Sequence, residues 1–270
     1  MVLPVHDVNP TRRTPVITYL LIAVNVVAFL LSPVVGHVAG GSSAAQQCRQ
    51  IAFFDRYAAE PRELLTGRQQ PSAATGAVGT DPQTGQQGCV ARRPATFHKA
   101  PFLSVLTAMF LHGGWLHLLG NMLFLFVFGN NVEDRLGRLR YLGFYLLCGY
   151  VATYGFSLFT PSSTSPLIGA SGAIAGVLGG YLVLYPRAKV WALLTFLFFL
   201  PVRLPAWLVL GSWFLLQYGY FRGAGVAGGS GVAYGAHVVG FVLGALLVLP
   251  LRGSGSPKPL RARYGPYARS

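Results

Sequence analysis

Ser171, in the tetrapeptide Gly169-Ala170-Ser171-Gly172, opens an apolar, glycine-rich run that ends near Tyr185. His237 stands near the start of a second apolar run, and a third carries His117 and Asn121, four residues apart and so on one face of a helix. A hydroxyl beside an imidazole can attack a carbonyl carbon. His237 would take the serine proton as general base and return it to the leaving amine as general acid. Asn121 and His117, with the backbone N–H of Ser171, could donate hydrogen bonds to the oxyanion of the tetrahedral intermediate. Taken alone, a serine in a glycine-rich helix is more often packing than nucleophile. A histidine within a hydrocarbon-spanning run is costly to bury, and it turns the balance toward acyl-transfer chemistry.

The elements that must position these residues are membrane helices. The 270-residue chain is 53% hydrophobic and 10% charged, too apolar for an ordinary soluble domain. Its net charge of +14 comes from 21 Lys and Arg against 7 Asp and Glu, most of the cations flanking apolar runs. That pattern fits membrane-flanking charge and excludes a nucleic-acid-binding domain, for which no compact basic unit is visible. The expected spans cover residues 16–35, 115–129, 142–159, 167–185, 204–221 and 234–251. The first of these is long enough to remain as an anchor and lacks a small-residue cleavage pattern.

Short-loop arginines and lysines set the orientation. The basic segments 1–15, 130–140 and 252–270 read as cytoplasmic, which places both termini inside. The segment 36–100 reads as one long extracytoplasmic loop, with a short amphipathic helix over 51–65 and a flexible stretch over 71–88. The run 102–111 is too short for a span and suits an interfacial or re-entrant piece; 190–200 is expected to lie along the cytoplasmic face. Outside the cytoplasm, Cys48 and Cys89 could form a disulfide.

Under this topology the polar clusters fall in the outer part of the second, fourth and sixth spans. Gly172, Gly176 and Gly179 line one side of the fourth, and His237, Gly240 and Gly244 one face of the sixth, so that the two backbones can approach closely. The seven acidic residues are Asp7, Asp55, Glu60, Glu63, Asp81, Glu133 and Asp134, all outside the expected spans. A Ser-His dyad is therefore expected rather than a triad, and an aspartyl intramembrane protease is excluded. His112, His117 and His237 offer imidazoles, but HExxH is absent and no metal site is expected. The GxGxxG at 223–228 follows an apolar span rather than a strand and reads as a loop beside the sixth span.

Three motifs in order resemble the rhomboid family of intramembrane serine proteases. They are His112 with the His117 and Asn121 pair, Gly169-Ala170-Ser171-Gly172, and Ala236-His237 with Gly240 and Gly244. The resemblance covers about 102–251 and implies an all-α bundle of six transmembrane helices with a water-accessible cavity opening outward. It also implies a serine endopeptidase that cleaves transmembrane segments of other membrane proteins near the outer face. In that reading Ser171 is the nucleophile, His237 the base, Asn121 and His117 the oxyanion donors, and no cofactor is used. A multi-pass protein of a bacterial plasma membrane is expected; the alternative is an inactive relative that binds or escorts membrane proteins. Two positions depart from the family pattern: Leu103 and Ser104 stand where many members have Trp-Arg, and Ala175 where members often pack an aromatic on the histidine.

Overall fold

The computed structural model describes residues 2–35, 43–80, 84–194, 198–223 and 232–251. The glycine-rich loop 224–231 and the basic tail 252–270 lie outside the described residues. Helix α7 (Ser171–Leu184) is the centre of the bundle, surrounded by α5 (Trp115–Leu136), α6 (Arg138–Phe159) and α9 (Tyr234–Val248). Every residue of α7 from Ala173 to Tyr181 is buried, as expected for a helix that is apolar all round. Helix α1 (Val16–Leu30) packs on α5, and α8 (Ala206–Gly223) on α9.

The α7–α9 contact is backbone against backbone. A Cβ on Gly240 would collide with the carbonyl oxygen of Gly172, one on Gly244 with that of Gly176, and one on Gly179 with that of Phe241. Glycines spaced for one helix face make this approach possible. Three helical stretches among the described residues are long and apolar enough to cross a membrane: Trp115–Leu136, Arg138–Phe159 and Tyr234–Leu251. Val16–Leu30 and Ser171–Leu184 are shorter apolar helices.

The expected basic loop at 130–140 is helical instead. Helix α5 continues to Leu136, and Gly137, at φ +81, turns the chain directly into α6. Two acidic residues at the end of α5 are engaged rather than solvated. Glu133 accepts from the N–H groups of Ile17 (3.0 Å) and Thr18 (2.7 Å) and from the Thr18 hydroxyl (2.8 Å). These are first-turn donors of α1, which have no partner within their own helix. Asp134 accepts from the backbone N–H groups of Arg12 and Arg13.

Strands also appear, so the fold is helical but not all-α. Strand β1 (Val2–Asp7) pairs antiparallel with β4 (Lys189–Leu194), which pairs with β5 (Leu200–Pro205). The run 190–200, expected to lie along the cytoplasmic face rather than to span, supplies most of β4 and the first residue of β5. Val190 and Ala192 are buried alternately with more exposed neighbours, the period of a strand.

The segment expected to be a long outer loop folds into a module. Helices α2 (Ala44–Tyr57) and α3 (Pro61–Thr66) replace the single helix expected over 51–65; Pro61 opens the second. The stretch expected to be flexible forms much of a hairpin of β2 (Ala73–Thr80) and β3 (Gln87–Arg92). Cys48 of α2 is disulfide-bonded to Cys89 of β3. Helix α4 (Pro101–Ala108) then leads into the bundle; its eight residues span only about 12 Å.

Lys99 ties the module together from inside. Its ammonium lies 2.6 Å from Glu63, 3.4 Å from Glu60 and 2.9 Å from the Asp55 carbonyl oxygen, with all three charged side chains buried. Burial pushes the Glu60 carboxyl up to about 7 against the pull of Lys99. Between the ordinary carboxyl value of 4.5 and about 7, the folded chain keeps a proton that the unfolded chain has lost. This stabilisation is complete at acid pH and disappears as pH rises through about 7. Melting in detergent will show Glu60→Gln losing less stability than the unsubstituted protein between pH 5 and pH 8. For the helix contact, Gly244→Val will lower stability by about 2 kcal/mol in detergent unfolding because backbone cannot yield to the side chain. Gly143→Ala, with open space at the added carbon, will hold or raise it.

Candidate active site

The chain leading to Ser171 is held by backbone bonds on two sides. Leu167 and Ala59 exchange hydrogen bonds, Leu167 N–H to Ala59 O at 2.7 Å and Ala59 N–H to Leu167 O at 3.2 Å. Gly169 donates its N–H to Ala108 O at 2.9 Å and adopts φ +114, a conformation that glycine takes without a side-chain penalty. The α7 helix therefore starts at Ser171 and not near Leu167 as the apolar run implies. Tertiary hydrogen bonds claim the residues before it. Ser171 becomes the first helical residue, where unpaired N–H groups and the helix dipole favour negative charge.

His237 lies in the first turn of α9, and its Nε2 is 2.8 Å from Ser171 Oγ. The hydroxyl and imidazole that the sequence singles out are brought together. On the other side of the ring, Nδ1 is 2.7 Å from Oε1 of Gln217 in α8. The rings of Trp213 and Tyr234 stand 5.9 and 6.2 Å from the imidazole centroid. Ala175 is buried in the core, and the aromatics beside His237 come from α8 and from α9 itself.

His117 and Asn121 face the backbone just before the serine. His117 Nδ1 accepts the Gly113 N–H at 3.3 Å, which leaves Nε2 as the protonated ring nitrogen. A Cβ on Gly169 would lie 2.8 Å from that Nε2 and 3.8 Å from Asn121 Nδ2. Gly169 is thus required for space as well as conformation. Asn121 Nδ2 is buried and has no hydrogen-bond partner among the described residues, so it can act as a donor to a bound group. His112 is buried and stands edge-on to His117 with ring centroids 5.0 Å apart. Leu103 is exposed on α4, and the Ser104 hydroxyl donates to Pro101 O at 2.7 Å.

One cavity of about 1230 Å³ unites the set, lined by His117, Asn121, Ser171, Gln217 and His237. No carboxylate is among its described lining residues. Glu133, although within α5, lies 12 residues beyond Asn121, about 18 Å along the helix. A smaller recess of about 30 Å³ behind Ser171 is bounded by Gly149, Thr153, Gly172 and Ala236. Sequence reasoning missed Gln217 and Trp213. The available signal is a lone amide in an apolar run, with a tryptophan four residues earlier on the same face.

Residues 99–254 match the Rhomboid domain family. The chain is 30% identical over 173 residues to a RHOMBOID-like protein of Arabidopsis thaliana named mitochondrial, covering 62% of this chain and 50% of that protein. It is 34% identical over 149 residues to mitochondrial Rhomboid protein 1 of Saccharomyces cerevisiae, covering 53% of this chain and 40% of that one. A Bacillus subtilis protein provisionally named a rhomboid protease is 38% identical over 82 residues, 29% of this chain and 39% of its own length. The chain thus spans half or less of the length of these relatives. With the domain match extending over more than half of its sequence and carrying both residues of the Ser171–His237 contact, this chain belongs to the rhomboid family and is an integral, helical membrane protein.

Proposed function

We propose that this chain is a serine endopeptidase that cleaves transmembrane segments of other membrane proteins. The observation that carries the proposal is the 2.8 Å hydrogen bond between His237 Nε2 and Ser171 Oγ beside a roomy cavity. His237 removes the hydroxyl proton as Oγ attacks the scissile carbonyl, and a tetrahedral oxyanion forms. Asn121 Nδ2, His117 Nε2 and the Ser171 N–H donate to that oxygen. The imidazolium then protonates the leaving amine, and water enters by the reverse steps to release the acyl group. No cofactor takes part. The recess behind Ser171 has room for about a methyl group, which favours small side chains at the cleaved residue. A substrate helix must open locally first, since its backbone groups are already paired.

The proposed threading has six spans, α1 and α5 to α9, with both ends in the cytoplasm. It divides the chain into a cytoplasmic 1–15, a protease domain over 16–251 containing the outer segment 36–100, and a basic tail 252–270. Three contacts support it by gathering basic segments at one end of the bundle. Strand β1 pairs with β4, Asp134 binds the backbone of Arg12 and Arg13, and Arg135 donates to Leu251 O at 2.8 Å. Substrates are membrane proteins with helix-weakening residues near the outer end of a span. The expectation of a bacterial plasma membrane draws no support from relatives of which two are mitochondrial by name, and the reading stays at an integral membrane protein.

The test combines a fluorophosphonate probe with cleavage of a single-span test substrate. The unsubstituted protein will label and cleave, and Ser171→Ala and His237→Ala will do neither while melting as folded proteins. Folded protein that neither labels nor cleaves would instead favour an inactive binding or escort relative. Asn121→Ala will lower kcat by about 100-fold through loss of one oxyanion donor.

A further inference from the structure

His237 makes two hydrogen bonds at once, and they are not independent. Its Nδ1 faces Oε1 of Gln217 at 2.7 Å, and its Nε2 faces Ser171 Oγ at 2.8 Å. A carbonyl oxygen can only accept, so Nδ1 must carry the ring proton. A neutral imidazole protonated at Nδ1 has its lone pair on Nε2, pointing at the serine hydroxyl. The opposite tautomer would aim an N–H at Oγ and could not remove its proton.

We propose that Gln217 is a positioning residue that holds His237 in the tautomer and orientation needed to act as base toward Ser171, an inference that rests on the protease reading above. It occupies the place that a carboxylate holds in a Ser-His-Asp arrangement, on the far side of the imidazole from the nucleophile. The amide supplies the acceptor without a charge, which suits a site whose described lining contains no acidic residue. Its surroundings fix it: Gln217 is buried, and Trp213, one turn earlier on α8, lies against the same imidazole. The other titratable side chains lining the cavity are His117, Tyr220 and Tyr234, none of them a carboxylate. The Gln217 carbonyl is thus the acceptor that distinguishes the two ring nitrogens. During attack, the Oγ proton moves to Nε2 and the Nδ1 proton stays in place, its bond to Gln217 strengthened by the positive charge on the ring.

Two variants separate positioning from packing. Gln217→Leu keeps the bulk but removes the acceptor; kcat for a single-span test substrate will fall at least about 10-fold with KM little changed. Gln217→Glu keeps the shape and supplies a charged acceptor. It will retain cleavage, and the acidic limb of its kcat/KM profile will move to higher pH, because a carboxylate beside Nδ1 favours the protonated ring. Leu and Glu variants that both match the unsubstituted protein in kcat and pH profile overturn the inference and leave the Ser171–His237 assignment intact. If the unsubstituted protein neither cleaves nor labels at Ser171, the protease reading fails and takes this inference with it. Should Gln217→Leu not fold, the pH shift of Gln217→Glu decides alone, and an unmoved limb overturns the inference.

Discussion

The geometry of this protein depends on two helices meeting with almost nothing between them. Helix axes ordinarily pack 8–10 Å apart, whereas a serine and a histidine 66 residues apart in sequence must come within hydrogen-bonding distance. Gly179 on α7 and Gly240 and Gly244 on α9 let carbonyl oxygens occupy space that side chains would otherwise fill, and Gly172 and Gly176 make room for Ala152 and Cys148 of α6. In lipid this matters more than in water, because helix association there is driven by van der Waals packing rather than by burial from solvent. The glycine ladder both assembles the bundle and sets the distance between Ser171 and His237.

Around that contact the polar groups divide into two kinds. Gln217, His237 and Ser171 form a continuous hydrogen-bonded chain, each satisfying the next. Asn121 Nδ2 has no hydrogen-bond partner among the described residues, and the first N–H groups of α7 have none within their own helix. A buried unsatisfied polar group costs about 1–3 kcal/mol, and here that cost falls where negative charge would develop during acyl transfer. Donors already aimed at the oxyanion need no reorganisation when it forms. Gly169 is part of the same arrangement, since any side chain there would fill the gap in front of His117.

The Ser171–His237 contact could be read from the chain because histidine in an apolar run is rare and the glycine spacing shares a helical face. The segment joining α5 to α6 could not, because its acidic residues look solvated until Ile17 and Thr18 are seen donating to Glu133. Strand β4 is a short apolar run, which periodicity alone does not distinguish from a piece of helix. Its partner β1 lies more than 180 residues earlier in the chain and includes Pro4. The hairpin of β2 and β3 is built largely of Ala, Gly, Gln and Thr, with weak strand preference. A covalent link and the acceptance of the Ala74 N–H by Asp55 bind it to α2, and neither can be inferred from local pattern. The start of α7 was hidden for the same reason, since Ala59 and Ala108 take up the preceding backbone groups from a distance.

The bond between Cys48 and Cys89 bears on where the protein can mature. Sulfur–sulfur links survive poorly in glutathione-rich compartments, and this one clips the hairpin to the helix that precedes Ala59, the residue paired with Leu167. In the threading we propose, that module meets an oxidising space only after its polypeptide has been translocated. Until then the approach to Ser171 would lack its outer brace, so completion of the site is coupled to arrival on the correct side of the bilayer.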